Sequence, residues 1–241
     1  MFNCWLRSWR IYSGGEVVMS LQQIMGQEVY DLLYTHYDTN GHLIKDMEDV
    51  FYCDDEDIDQ KRIPKLEALL TPITSAKDSL IPIEAAKLLA AWGSEKAVKY
   101  FEYCIDERID RLGNLDPHRL HGRYDTTYER IADSLFHYHV RYTERDYAIS
   151  NTYYGELAEK ARNKISTPLI KIIKLSKELI LDMGYLVKTL QSDTWKEYLP
   201  VLKECYLDFI QRPENDLNRQ WNLPALTELL EEWDPEFLTN C

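Results

Sequence analysis

Residues 78–104, DSLIPIEAAKLLAAWGSEKAVKYFEYC, predict two helices joined by a tight turn. Apolar residues recur at intervals of three and four on both sides of the turn, as they do in amphipathic helices. These positions are Ile83, Ala86, Leu89 and Ala90 in the first helix and Ala97, Val98, Phe101 and Ile105 in the second. Gly93 suits the left-handed conformation that ends a helix, and Ser94 suits the cap of the next one. Such a hairpin buries its apolar face only against neighbouring helices, which favours a helical array over an enzyme built around a catalytic cleft.

Helical patterns continue along the rest of the chain, and strand patterns are nearly absent. The predicted helices cover residues 20–37, 43–52, 62–70, 79–92, 94–110, 124–142, 145–164, 167–180, 183–191, 194–211 and 223–233. Pro168 is expected in the first turn of its helix, and Pro200 at a bend or near a helix start. About ten helices with short connections predict an all-α fold, either a solenoid or an irregular bundle.

Two segments resemble HEAT-like units, namely IEAAKLLAAWGSEKAVKYFEYC at 83–104 and KEYLPVLKECYLDFI at 196–210. The resemblance covers about half of the chain, and residues 111–160 depart from it. It implies an irregular HEAT/armadillo-like α-solenoid of antiparallel helical hairpins. The layout also resembles HEAT-like immunity proteins of bacterial polymorphic toxin systems, which are acidic, cytoplasmic and mostly helical. That resemblance implies a cognate toxin as the partner.

The start of the chain differs from the rest. Residues 1–18 contain aromatic and arginine residues, but they have neither the apolar core nor the small-residue cleavage site of a signal peptide. The helical pattern begins only at Ser20. We expect a single domain over residues 19–241, preceded by a non-native or disordered extension over 1–18, with Met19 as the natural start.

Composition limits the classes of function. The net charge is −13, and it is uneven: residues 1–60 carry twelve acidic and three basic residues, whereas the other 29 acidic and 25 basic residues nearly balance. This charge argues against nucleic-acid binding through a basic patch and favours a basic protein partner. Five scattered cysteines without a CxxC pair indicate reduced thiols in the cytoplasm. No apolar run is long enough to span a membrane.

The first candidate binding region is an acidic run that contains no basic residue. With Phe51 and Tyr52 adding apolar contact, it is a candidate docking surface for the lysines and arginines of a toxin. The alternative is a solvated loop that only maintains solubility. The candidate partner-binding residues in this run are Asp46, Glu48, Asp49, Tyr52, Asp54, Asp55, Glu56, Asp57 and Asp59.

A calcium loop is excluded on its pattern. Asp55, Asp57 and Asp59 match the first ligands of an EF-hand, but Gln60 replaces the turn glycine and Leu66 replaces the bidentate glutamate. The histidines of the later loop match no zinc spacing. We therefore expect no metal site and no cofactor.

The second candidate region is the loop around residues 116–128. Its partner-binding candidates are His118, His121, Tyr124, Asp125 and Tyr128. The preferred alternative is internal, with Arg119 and Arg123 pairing to nearby carboxylates and Asp125 capping the following helix. Among the 17 tyrosines, several cluster at 138–154, which suits either an interface or the flanks of packed helices.

No constellation supports catalysis. His137 and His139 lie two apart on a helix and point in different directions, and there is no phosphate loop, nucleophile elbow or HExxH. The resemblance to HEAT-like immunity proteins implies instead a protein that is not an enzyme and that occludes the active or substrate-binding surface of a toxin. A helical scaffold in a larger assembly is the alternative, and a helical-array enzyme acting on nucleic acid is a weaker one.

Overall fold

A computed structural model describes residues 20–37, 40–44, 47–116 and 124–240, without the side chains of 44 and 47–49. The expected extension over residues 1–18 and Met19 lie outside the described residues. The helices are α1 (Leu21–Met25), α2 (Gln27–Tyr34), α3 (Met47–Tyr52), α4 (Ile63–Glu67), α5 (Leu80–Ala91), α6 (Glu95–Asp106), α7 (Thr127–Ser150), α8 (Glu156–Leu175), α9 (Gly184–Ser192), α10 (Leu199–Ile210), α11 (Leu217–Trp233) and α12 (Pro235–Thr239). Short 3₁₀ helices lie at Asp55–Asp57, Ala76–Asp78, Ile109–Leu112 and Lys196–Tyr198.

The predicted all-α class is confirmed. In the described part of the chain, strand is limited to the antiparallel pair β1 (His36–Tyr37) and β2 (Leu43–Ile44). The chain forms two compact units that divide between Tyr100 and Phe101, within α6.

In the first unit, α5 is the central helix, and α2, α3 and α4 pack against it. The sequence predicted one apolar stripe on α5, but Ala85, Ala86 and every residue from Leu88 to Ala91 are buried. Most of α5 is therefore buried, whereas Ile83 and Lys87 are partly exposed, and the small alanines allow neighbouring helices to approach closely.

The predicted turn after α5 is confirmed. Gly93 has φ +82°, its N–H donates to the carbonyl of Ala90 at 2.8 Å, and the Ser94 N–H donates to that of Leu89 at 2.8 Å. This pair of bonds is a Schellman motif, which satisfies the last carbonyls of α5. The next helix then begins at Glu95, directly after Ser94.

The predicted first helix over residues 20–37 is wrong in its extent. Ser20 and Gln23 form a capping box, but Gly26 at φ +81° ends α1 and separates it from α2. After α2, the chain enters the β1–β2 pair, in which His36 lies opposite Ile44 and Tyr37 opposite Leu43. A positive φ cannot continue a right-handed helix, so the glycine sets the break.

Arg62 connects three parts of the first unit. Its guanidinium donates to the carbonyls of Leu32 and Thr35 at the end of α2, and its contact with the Thr35 carbonyl measures 2.7 Å. It also lies 5.2 Å from the ring centroid of Trp92, whose indole N–H donates to the Val50 carbonyl at 2.8 Å. A cation at a helix C-terminus satisfies free carbonyls and favours the helix dipole.

In the second unit, the long helices α7 and α8 pack against each other. The predicted boundaries here were wrong: α7 continues through residues 143–144, and Pro168 lies inside α8 instead of in its first turn. The real break is the segment 151–155, NTYYG, where Asn151 adopts the left-handed conformation at φ 55° and ends α7.

Two buried asparagines hold the segment between α8 and α9. On α11, Asn218 binds the carbonyls of Ser176 and Leu179 and the Leu181 N–H, while Asn222 binds the carbonyl of Leu181 and the N–H of Met183. Both side chains are at most 3% exposed. An asparagine amide offers a donor and an acceptor at once, so it satisfies both the carbonyls and the N–H groups of this segment.

Candidate protein-binding surface

The described part of the acidic run is held outward by two buried side chains. Cys53 and Ile58 are buried, and the 3₁₀ helix Asp55–Asp57 lies between them. The residues that this arrangement leaves exposed are Asp54, Asp55, Glu56 and Asp59. The backbone is thereby anchored at both ends of the segment, and four carboxylates face solvent within six residues.

Asp59 and Asp57 differ from the other acidic residues of this segment in their surroundings. Asp59 Oδ1 accepts from the backbone N–H of Lys61 at 2.9 Å, which fixes the turn that leads to α4. Asp57 is only partly exposed, and its Oδ1 is buried without a hydrogen-bond partner in the described part of the chain. A buried carboxylate oxygen without a donor is unfavourable, and a donor from outside would relieve that cost.

Apolar side chains are exposed in the same unit. Tyr52, at the end of α3, is 61% exposed, and the facing strand residues Tyr37 and Leu43 are 57% and 50% exposed. The first strand packs against α3. Exposed tyrosines beside carboxylates give the mixture of apolar area and charge that protein interfaces use.

Several predicted residues lie beyond what the structure describes. Asp46, His118 and His121 are outside the described residues, as are Arg119 and Arg123. Glu48 and Asp49 lie on α3, and their side chains are not described. Their predicted roles stay predictions.

Tyr124 and Tyr128 are buried, at 6% and 2% exposure. The Tyr128 hydroxyl donates to Asp110 Oδ1 at 2.6 Å, and Asp110 also accepts from the Arg108 guanidinium at 2.9 Å. The Tyr124 ring packs edge-on against Trp221 at 5.1 Å. Both tyrosines therefore serve packing in this structure, and the proposed binding surface below does not include them.

Asp125 has an internal role of the predicted kind. Its Oδ1 accepts from the Thr127 N–H at 2.8 Å, at the start of α7, and its other oxygen accepts from the Leu115 N–H. Nearby, Asp116 pairs with Arg130 and accepts from the Thr126 hydroxyl at 2.8 Å. These contacts tie the described ends of the loop to α7.

Glu129 is the main titratable group of this region, and its burial was not predicted from the sequence. Its Oε1 accepts from the Tyr124 hydroxyl and, at 2.9 Å, from the Asp182 N–H, whereas its Oε2 is buried without a partner in the described chain. Burial raises the pKa of Glu129 to about 7, despite the bond from Tyr124 that favours the ionised form. The same burial and the neighbouring Glu129 raise the pKa of Tyr124.

The buried roles of Glu84, Asn218 and Asn222 were not predicted from the sequence either. Glu84 lies in α5, accepts from the Tyr34 hydroxyl at 2.8 Å and pairs with Lys87 at 2.7 Å. The detectable signal for the asparagines was their spacing of four in an otherwise good helix-forming segment. Their backbone partners, however, lie about forty residues away in sequence.

The described residues contain no group of three or more His, Cys, Asp or Glu arranged to hold a metal ion. No helix within them is both long enough and apolar enough to cross a membrane. Comparisons with protein-family models, curated proteins and solved structures return no match. What the chain binds must therefore be inferred from its own residues.

Proposed function

We propose that this chain is a protein-binding immunity protein that neutralises a cognate bacterial toxin in the cytoplasm. The carrying observation is the exposed acidic segment, Asp54, Asp55, Glu56 and Asp59, held between the buried Cys53 and Ile58. Four like charges so close together repel one another, and a basic partner would remove that cost.

The proposed mechanism is occlusion of the toxin's active or substrate-binding surface. The acidic segment pairs with lysines and arginines of the toxin, and Tyr52 supplies apolar contact beside them. A toxin that acts on nucleic acid needs those same cations for phosphate, so their occupation blocks its substrate. The acidic field also accelerates encounter, since complementary potentials raise association rates at low salt.

The proposed scaffold is an irregular HEAT/armadillo-like array of helical hairpins. The Schellman turn between α5 and α6 and the packed pair α7–α8 support it, because the first joins two helices by a short turn and the second buries one helix against another. The two units differ in helix length, which agrees with an irregular array instead of a strict repeat.

A growth-rescue assay tests the function. The chain is co-expressed with a candidate toxin domain taken from a neighbouring gene, and we expect growth to be restored. The variant D54N/D55N/E56Q/D59N should rescue poorly when expression is limiting. The control E107Q/E159Q/E204Q/E236Q changes the net charge equally at exposed positions elsewhere and should rescue like the original chain. Absence of rescue by the original chain would leave a helical scaffold as the better proposal.

A further inference from the structure

A closed set of hydrogen bonds joins the start of α7 to the segment between α8 and α9. The Asp182 N–H donates to the Tyr124 hydroxyl and to Glu129 Oε1, each at 2.9 Å, and the Tyr124 hydroxyl donates to the same Oε1. We call Tyr124, Glu129 and Asp182 the Tyr124 cluster. The Tyr124 ring also packs edge-on against Trp221 of α11. Through this cluster, the residue that precedes α7 is held to two other parts of the second unit.

The second oxygen of Glu129 is the weak point of the cluster. Its Oε2 is buried and has no hydrogen-bond partner in the described part of the chain. A neutral carboxyl group tolerates an unpaired oxygen at modest cost, whereas a carboxylate leaves a charged oxygen without water or a donor. An ionised Glu129 therefore gains hydration only if the cluster opens.

The groups around Glu129 do not supply the missing compensation. Its own oxygen faces the Asp182 carboxylate, a like charge that favours the protonated form. Other charged or titratable groups near the cluster interact elsewhere: Arg130 of α7 with Asp116, and Tyr185 of α9 with Asp133 and Thr189. On α11, the contact with the cluster is the uncharged ring of Trp221. Burial and Asp182 together outweigh the two donors on Oε1, and the pKa of Glu129 lies at about 7.

We infer that Glu129 is a pH-sensitive switch, which holds Tyr124 on the segment between α8 and α9 while protonated and releases Tyr124 when ionised. The closed arrangement holds the proton more tightly than the released one, so it is favoured at low pH and lost as pH rises through about 7. Asp125 still ties Leu115 to the start of α7, which confines the change to the Tyr124 cluster. Tyr124, 6% exposed when closed, then becomes accessible. The inference does not depend on the proposed function.

Amide hydrogen exchange at Asp182, followed by NMR, tests the switch, because both acceptors of this N–H belong to the Tyr124 cluster. A pKa of about 7 when closed and 4.5 when released makes the opening constant rise about tenfold between pH 6 and pH 8. The protection of Asp182, corrected for the intrinsic exchange rate, should fall by that factor. E129Q should abolish the dependence, whereas the matched control E159Q, at an exposed position of α8, should keep it.

Met183 is the internal control, since its N–H donates to Asn222 and not to the Tyr124 cluster. Its protection should change less than twofold over the same pH range. At pH 8, nitration of Tyr124 by tetranitromethane, read by mass spectrometry, should be at least fivefold faster in the original chain than in E129Q.

The contrary results separate the switch from other events. An equal loss of protection at Asp182 and Met183 would mean that the whole segment opens, and would contradict a local switch. Constant protection at Asp182 between pH 6 and pH 8, or the same pH dependence in E129Q, would overturn the role of Glu129. Equal nitration in both proteins would show that Tyr124 is not released. Absence of toxin rescue would contradict the proposed function and leave these measurements unaffected.

Discussion

At the scale of single residues, the turn between α7 and α8 depends on the absence of a side chain at Gly155. The Asp146 carboxylate fills the space beside it and accepts from the Ala158 N–H at 2.7 Å, which caps α8 from the preceding helix. A Cβ at position 155 would lie 2.3 Å from Asp146 Cγ. The glycine is needed here for space, since its backbone is extended.

We expect Gly155→Ala to lower the free energy of unfolding by about 1–3 kcal/mol, because Asp146 must move and release the cap. Urea denaturation measures the change. Gly184→Ala is the matched control, since its added Cβ meets only Asp182 Oδ1 at 3.1 Å. In an Asp146→Ala background the cost of Gly155→Ala should nearly vanish. A full cost in that background would contradict the steric account.

Glu129 makes stability depend on pH. Its pKa of about 7 in the folded chain lies above the ordinary 4.5, so the folded state holds the proton more tightly than the unfolded state. This contribution is complete below about pH 4.5 and is lost as pH rises through 7. We expect Glu129→Gln to gain stability over the original chain between pH 5 and pH 8, by about 1–3 kcal/mol at pH 8. Thermal melts at both pH values measure the difference, and a constant difference would contradict the prediction.

His139 makes stability depend on pH in the opposite direction from Glu129. Burial, with a smaller contribution from Arg162, lowers its pKa to about 4, and its ring packs edge-on against Trp195 at 4.8 Å. The unfolded chain therefore takes up the proton first, and stability is lost as pH falls from 6.5 towards 4. His139→Phe keeps the aromatic contact and should reduce the loss between pH 6.5 and 4.5. Equal losses in both proteins, measured by urea denaturation, would contradict this assignment.

At the scale of elements, Asn218 and Asn222 connect α11 to the segment between α8 and α9. Asp182 at the centre of this segment also donates its N–H to the Tyr124 hydroxyl and to Glu129 at the start of α7. Two helices of the second unit, α11 and α7, together with Tyr124 just before α7, thus hold one short segment through its backbone. The segment keeps its place without a partner strand because side chains satisfy its polar groups.

We expect Asn222→Ala to lower the free energy of unfolding by about 2–4 kcal/mol, because it leaves the buried carbonyl of Leu181 and the N–H of Met183 without the Asn222 side chain as a partner. Hydrogen exchange should show faster exchange at Met183. Asn163→Ala on the exposed side of α8 is the control and should change stability by less than about 0.5 kcal/mol. Unchanged exchange at Met183 would show that Asn222 does not hold the segment.

The observed helix ends also show which sequence signals were sufficient to predict the bounds of the helices. Gly93 predicted the end of α5 and the turn to α6 correctly, because a local Schellman motif needs only adjacent residues. The predicted helix over 145–164 runs through the break at 151–155, since the main determinant of that break, the contact between Gly155 and Asp146, crosses between two helices. Pro168 was placed at a helix start by its usual preference, whereas burial within α8 overrides that preference.

At the scale of the whole molecule, the all-α fold class was predictable from the sequence because helical periodicity is repeated along most of the chain. The boundary between Tyr100 and Phe101 was not, because it lies within a continuous helix and leaves no linker in the sequence. The exposure of Asp54, Asp55, Glu56 and Asp59 agreed with the expectation for a charged run. The burial of Tyr124 and Tyr128 depended on distant partners such as Trp221 and Asp110.

The uneven charge of −13 gives the molecule its proposed mode of recognition. The acidic segment would steer a basic partner, and such steering is screened by salt within about 10 Å at 0.1 M. Mutation of the segment should therefore change the association rate more than the dissociation rate.

Stopped-flow association with the neighbouring gene's toxin domain tests this central claim most directly. At low salt we expect D54N/D55N/E56Q/D59N to associate at least tenfold more slowly than the original chain, with the difference shrinking as salt is added. The control E107Q/E159Q/E204Q/E236Q should show a much smaller change. An association rate that is the same for the original chain and the acidic-segment variant at low salt would contradict the account.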